Sequence, residues 1–259
     1  MATGRTLLKR WSRIYIDGFD MSGYTRELGP LAWTYPEIDQ TAILDGVKGV
    51  LTDAPEISPG TLNGIFNNTA TSGIHAALST PGSARDTLVA IGIQAEPAAG
   101  DPVFMGSFAH TGYVAAPSGG DIVLTCPFGK VNVAEGMTYE QPWGVLLHAS
   151  GAETGANSAA GIDDNGAATT KGGYLMYQIL AVAGEGTVTI SIDDAATNAG
   201  GSFSALSGAT SGEIAHTAVP AAGIIQLGTT ATVRRYVRWQ MALDGITACS
   251  FVLGFVRGR

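Results

Sequence analysis

Clustered cysteines, charge, long apolar runs and helix signals are all scarce in this chain. The two cysteines, Cys126 and Cys249, fall one in each half. With no CxxC pair, no Cys/His cluster and no even-spaced framework, neither a zinc site nor a disulfide scaffold is indicated. No stretch approaches the ~20 apolar residues of a membrane span. The opening Met-Ala-Thr-Gly-Arg-Thr-Leu-Leu-Lys-Arg-Trp is basic but lacks the apolar segment of a secretion signal. Folding in a reducing cytoplasm, away from membranes, is therefore expected. Charged residues make up only 14% of the 259, which leaves much uncharged surface. Such surface is cheap to desolvate and suits large protein contacts, although Gly-rich loops give the same count.

What charge there is leans acidic. The net value is −8, with 8 Lys or Arg against 14 Asp or Glu in residues 1–146 and 6 against 8 in residues 147–259. An acidic surface repels phosphate, so holding nucleic acid through counterion release is disfavoured, while letting DNA pass is not. The abundant features are 36 Gly, 11 Pro and a 45% hydrophobic fraction. They describe many short strands joined by tight turns rather than a helical protein.

Along the first half, strands are expected at Arg13 to Asp17, Pro30 to Tyr35, Val47 to Thr52 and Thr61 to Phe66, with Met21 to Glu27 a polar link. Leu31, Trp33 and Tyr35 share one face at period two, and Pro36 stops that strand. Glu37 to Gly46 shows neither period and reads as a long connection. Its Ile38, Ile43 and Leu44 are too apolar for a freely solvated loop, and folding back on their own core is the plain alternative. One short helix follows: Thr71 or Ser72 can cap it, Ile74, Ala77 and Leu78 fall at i, i+3 and i+4, and Pro81-Gly82 ends it. About two turns long, it needs a sheet to pack on. Strands at Leu88 to Ala95, Val103 to Tyr113 and Asp121 to Pro127 complete a first unit, residues 1–141.

A second unit, residues 142–259, opens at Trp143 to Ala149. A Gly/Ala-rich excursion over 150–173 follows, and then strands at Tyr174 to Val182, Thr187 to Asp193, Phe203 to Ser207, Ile224 to Leu227, Thr232 to Met241 and Thr247 to Val256. Val233, Val237, Trp239 and Met241 alternate with Arg234, Arg238 and Gln240, so one face is core and the other wet; Arg235 breaks the alternation and marks a bulge or edge. An independent antiparallel sandwich is the expectation.

Motifs that carry chemistry are weak. Asp163-Asp164-Asn165-Gly166 lacks the ligand spacing and distal Glu of a calcium loop and reads as a polar turn, as does Asp193-Asp194. His75, His110, His148 and His216 are scattered, and packing positions explain them better than ligation. Gly208-Ala-Thr-Ser-Gly212 has Thr where a nucleophile elbow needs Ser, and no Gly-rich loop is followed by a phosphate-binding Lys. No catalytic, cofactor or metal site is expected, and the chain reads as a non-enzyme. Trp143, Tyr174, Tyr177 and Trp239 leave a sugar-stacking surface open as an alternative, although Trp239 lies on the core face and Tyr174 and Tyr177 point to opposite faces.

The order of parts in the first half resembles that of the tail tube proteins of long-tailed, non-contractile bacteriophages, over about residues 10 to 131. It runs from a strand ending in Asp17-Gly18 through Ser22-Gly23-Tyr24, a long loop, Val47-Lys48-Gly49-Val50-Leu51 and Leu62-Asn63-Gly64-Ile65-Phe66. The helix Ile74-His75-Ala76-Ala77-Leu78 and the Leu88 to Gln94 strand close it. Each motif is short; their order and spacing carry the resemblance. It implies a mainly β protein: a tail-tube-type β-sandwich or barrel with one flanking helix, plus an appended C-terminal antiparallel β-sandwich. It further implies hexameric rings stacked into a hollow tube that conducts DNA during ejection, in a virion tail assembled in the host cytoplasm. The partners would be other copies and tail proteins such as the tape measure and terminator. In that setting Glu37, Ile38, Asp39, Ile43, Leu44 and Asp45 would contact the adjacent ring, and Glu56 and Asp121 would face the lumen. Ile74, Ala77 and Leu78 would hold the flanking helix. A capsid-decoration protein is the other assembly reading, and it explains the helix and long loop less well.

Overall fold

The structure is a computed structural model that describes residues 11–41, 49–69, 73–93, 95–131, 139–156, 160–163 and 167–259. Strands dominate. The first half contains β1 (Ser12–Ile16), β2 (Phe19–Asp20), β3 (Thr25–Leu28), β4 (Ala32–Thr34), β5 (Glu37–Asp39), β6 (Val50–Thr52), β7 (Glu56–Ser58) and β8 (Thr61–Ile65). Helix α1 (Ile74–Leu78) precedes β9 (Ala84–Ile91), β10 (Pro102–His110), β11 (Val114–Ser118) and β12 (Asp121–Val131). The second half contains β13 (Trp143–Glu153), β14 (Ile162–Asp163), β15 (Gly173–Ala195), β16 (Ser204–Thr210), β17 (Ile214–Ala215), β18 (Ala221–Gln226) and β19 (Tyr236–Arg257).

Two sheets enclose the first core. One is β1-β9-β10, with Ser12 opposite Ile91 and Phe104 opposite Val89; the other is β3-β8-β12-β11. Strand β12 belongs to both, because its first part pairs with β8 and β11 while Phe128 pairs with His110 of β10. Alternation along each strand sends Ile14, Ile16, Val89, Phe104 and Phe108 inward from the first sheet, and Leu62, Leu124 and Cys126 from the second. Helix α1 closes the side by burying Ile74, Ala77 and Leu78 completely or nearly so. Its N-cap is Gly73, which makes no side-chain cap bond, and the expected caps Thr71 and Ser72 lie outside the described residues. At five residues the helix depends on this packing rather than on intrinsic helix stability.

Unlike most sandwich strands, β1, β9 and β10 bury their outer face too. Tyr15, Leu88, Ala90, Val103 and Met105 meet Leu146, Tyr174, Met176, Val252 and Val256 of the second half in one cluster. Tyr174 donates its hydroxyl proton within reach of the Met105 carbonyl (3.0 Å) and the Gln141 carbonyl (2.9 Å). Buried Gln178 accepts the Gly18 N–H (2.6 Å) and donates to the Asp86 carbonyl (2.8 Å), which pins the β1–β2 turn to β15. β10 also pairs with β13, Pro102 lying opposite Val145. A sheet and a core therefore run across the 141/142 link.

Strands β15 and β19, 23 and 22 residues long, form one antiparallel ladder from Gly173 opposite Arg257 to Ala195 opposite Tyr236. The sequence suggests a break in each. Gly184-Glu185-Gly186 and Asp244-Gly245 read as turns, yet they lie opposite each other as matched bulges, where Thr187 faces both Asp244 and Gly245. The ladder bends there, and its two arms enclose a core in which Leu175, Ile179, Phe251 and Phe255 meet Val188, Ile192, Val237 and Trp239. Gly186 has φ +146°, and a Cβ there would fall 1.8 Å from the Asp244 carbonyl oxygen. Gly186→Ala is expected to lower stability by about 1–3 kcal/mol, the scale of a forced backbone outlier. Urea unfolding checks this, and an unchanged midpoint would contradict the bulge's role.

Other differences from the sequence reading are local. The stretch expected as a polar link already contains β3, and β11 occupies a segment with no expected strand. The Gly/Ala-rich excursion starts as a continuation of β13 to Glu153 and includes β14, paired with the start of β19. Among the described residues the sheets stay open, so of the sandwich and barrel alternatives the single chain takes the sandwich.

Candidate assembly interface

The described part of the expected connection, Glu37 to Gly46, contains β5, which joins β6 and the neighbouring pair β4 and β7 in a projecting β-ribbon. β4 pairs with β7 (Ala32 opposite Ser58, Thr34 opposite Glu56), and β5 with β6 (Glu37 opposite Thr52, Asp39 opposite Val50). Pro36 and Pro55 interrupt the two ladders, yet the Asp53 N–H reaches the Pro36 carbonyl (2.8 Å) and carries pairing past the break. Beyond Asp39, the Gln40 N–H donates to the Gly49 carbonyl (2.9 Å). The Asp39 carboxylate accepts the Thr41 N–H (2.9 Å) and hydroxyl (2.6 Å), bonds that favour the ionised form and lower its pKa. Ile57, 4% exposed, anchors the base in the first core.

Most of the described residues distal to that anchor are open to solvent. Trp33, Tyr35, Ile38, Val50 and Leu51 are all exposed, Leu51 by 53%, and Ile38 lies directly across from Leu51. A two-stranded ribbon is marginal in water by itself, and this one leaves Ile38, Val50 and Leu51 exposed among the described residues. Of the residues expected at an inter-ring loop, Glu37, Ile38 and Asp39 lie in β5, while Ile43, Leu44 and Asp45 lie outside the described residues. Trp33, Tyr35, Val50 and Leu51 join them. The period-two pattern of Leu31, Trp33 and Tyr35 marks one face of a strand without saying what covers it, and only the bracketing prolines 30, 36 and 55 hint that the strand leaves the core.

A second uncovered surface is the sheet β3-β8-β12-β11. Among the described residues β3 pairs only with β8 and β11 only with β12, so each keeps one edge unpaired. Its outer face carries Ile65 opposite Val123 and Val114 opposite Thr125, with Ile65 and Val114 exposed. Asp121 starts β12 opposite Ser118 and pairs with Arg26 at 2.6 Å, both half in solvent. Glu56 is elsewhere: it sits half-buried in the ribbon's base, opposite Thr34.

The remaining candidates serve packing. Asp193 and Asp194, expected as a polar turn, lie within β15 and are 5% and 4% exposed. Arg238 grips Asp193 through Nε (3.1 Å) and Nη2 (2.8 Å); Arg234 holds Asp194 through Nε (2.9 Å) and its own backbone N–H (2.7 Å). The face expected to be wet is thus an ionic layer. Asp163 pairs with Arg235 (2.7 Å), and Asp164, Asn165 and Gly166 lie outside the described residues. Tyr174 and Trp239 are buried, which removes the four-aromatic sugar platform.

The histidines are likewise structural. His75 Nδ1 lies 2.7 Å from the Tyr113 hydroxyl, His148 stacks on Phe251 at 4.1 Å with Nε2 3.0 Å from Glu153, and His216 accepts the Gly186 N–H. His110, 1% exposed, has no close hydrogen bond at either ring nitrogen. Desolvation, then Arg85, pushes its pKa down, outweighing the opposing pull of the Thr80 and Gly112 backbones and Asp17. The unfolded chain therefore takes up this proton first as pH falls, and native stability from this group drops below about pH 6.5 until the depressed native pKa is passed. His110→Leu is expected to flatten the loss of stability between pH 7 and 5. Equal slopes for the two proteins in denaturant titrations would contradict it.

No family model and no curated protein matches the chain. Among solved structures, one match is the crystal structure of the SPP1 Dit protein, described as a paradigm of the hub adsorption apparatus in phages infecting Gram-positive hosts. The two share 13% identity over 95% of this chain and 98% of that one, with a TM-score of 0.30. A likeness that loose carries no argument, and the functional reading rests on the ribbon and the sheet edges.

Proposed function

We propose that this chain is a structural, non-enzymatic subunit of a phage tail, and that copies assemble into hexameric rings stacked as a tube through which DNA passes without being held. The ribbon carries the reading: an apolar, acidic, two-stranded arm whose Ile38, Val50 and Leu51 stay exposed among the described residues is explained by burial against another copy. The order of motifs in residues 10 to 131 supports the same setting. The free edges of β3 and β11 supply the lateral contact, since pairing one copy's β3 with the next copy's β11 would close a continuous barrel and remove both edges. Asp121, at one end of β12, would then face the lumen on the sheet's outer surface, while Glu56, in the arm's base, belongs to the stacking contact. Tape measure and terminator proteins are the expected further partners, and the virion tail the expected location.

Negative-stain microscopy of the purified full chain at high concentration tests this. Rings or tubes are the expected result, and monodisperse monomers at every salt concentration would overturn it.

A further inference from the structure

Beside the base of the arm lies a groove of about 590 Å3, walled by Trp33 and Tyr35 of the arm, by Tyr139, and by Lys171, Thr229 and Arg259 of the second half. It continues into a neighbouring hollow of about 550 Å3 that shares Trp33 and Arg259 and reaches Trp143. The groove's walls combine the exposed Trp33 and Tyr35 rings with two exposed cations, Lys171 and Arg259, against one acid, Glu140, and the neighbouring hollow adds Asp163, which is paired with Arg235. The arm has the opposite character: among its described residues, 31–41 and 49–58, it carries Glu37, Asp39, Asp53 and Glu56 and no Lys or Arg. Its distal apolar pair, Ile38 and Leu51, is flanked by Glu37 and Asp39.

We propose that this groove is the seat for the β5-β6 pair of a second copy's arm, with Ile38 and Leu51 against the aromatic walls and Glu37 and Asp39 beside Lys171 and Arg259. The proposal rests on the arm being an inter-subunit contact and specifies its receptor. Charge complementarity selects the occupant, because the acidic, apolar β5-β6 pair matches a basic aromatic groove. Donor and acceptor are different surfaces of the same chain, so the contact is head-to-tail and repeats from copy to copy. It also gives the second half a share in stacking, since Lys171 and Arg259 belong to it.

The test is a charge exchange on the full chain, read by sedimentation velocity across protein concentration. Lys171→Glu with Arg259→Glu, and separately Glu37→Lys with Asp39→Lys, should each raise the concentration at half-assembly about tenfold or more, and combining all four should recover most of the loss. All four residues are exposed, so matched thermal melts confirm that folding is untouched. If the arm exchange or an Ile38/Leu51 variant weakens assembly while the groove exchange does not, the arm reading stands and the groove seat is wrong. Failure of the combined variant to recover also rejects the seat. A wild-type chain that never assembles overturns both.

Discussion

Ile38→Ser with Leu51→Ser is expected to abolish assembly while leaving the subunit folded. Neither side chain touches a core, and Ile38 is 44% and Leu51 53% exposed in the isolated chain. Removing them therefore costs the fold little, as surface substitutions usually do. In an assembly the same pair would be fully buried. Each is already about half covered, so completing the burial would be worth about half of the 1.5–3 kcal/mol for full transfer of an Ile or Leu from water, and stacked copies as proposed would lose it at every contact. The variant should sediment as a monomer at concentrations where wild type forms particles, with an unchanged melting curve. Particles of normal size would remove the arm from the assembly.

The second large effect concerns stability. Arg238→Met is expected to destabilise the chain by about 3–5 kcal/mol, because it leaves the Asp193 carboxylate buried without its cation. Both partners are enclosed, Arg238 at 12% and Asp193 at 7% side-chain exposure, and the guanidinium also lies over the Phe203 ring at 4.5 Å. A contrasting pair shows what burial adds. Glu96, the partner of Arg13, is 63% exposed, so Arg13→Met should cost about 1 kcal/mol or less. Replacing Asp193 by Leu in the Arg238→Met background should recover much of the loss, since the unpaired charge is the main penalty. Urea unfolding of the three proteins decides it; an Arg238→Met effect no larger than that of Arg13→Met would show that the ionic layer is dispensable.

How legible these features are in the sequence depends on what each residue's environment rewards. Strands with one buried face, such as β1 with Ile14 and Ile16, announce themselves by alternation. The mainly β sandwich class and the packed helix of Ile74, Ala77 and Leu78 follow from that signal. The arm is hidden because Trp33 and Tyr35 obey the same alternation with no core beneath them, and burial against another molecule leaves the same trace as burial within one. The bent ladder is hidden for a different reason. Gly186 and Gly245 look like turn residues since a bulge and a turn both need positive φ, and only the pairing of Thr187 with Asp244 and Gly245 separates the two. The Asp-Arg layer is missed because charged residues alternating with apolar ones read as solvent-facing until the opposite strand is seen to supply the counter-charges.

The ladder between β15 and β19 has a kinetic consequence. Gly173 must find Arg257, and β19 also supplies the strand beside β13 and the Val252 and Val256 that cover the outer face of β9 and β10. Contacts this distant in sequence close late, because loop-closure entropy is spent before they contribute. A ribosome that has already released the arm and the β3 and β11 edges still holds a chain whose scaffold is unfinished. Until residues 236–257 are made, β13 and β15 lack the strand between them and the outer face of β9 and β10 lacks Val252 and Val256, so synthesis of this one strand sets when the scaffold can become rigid.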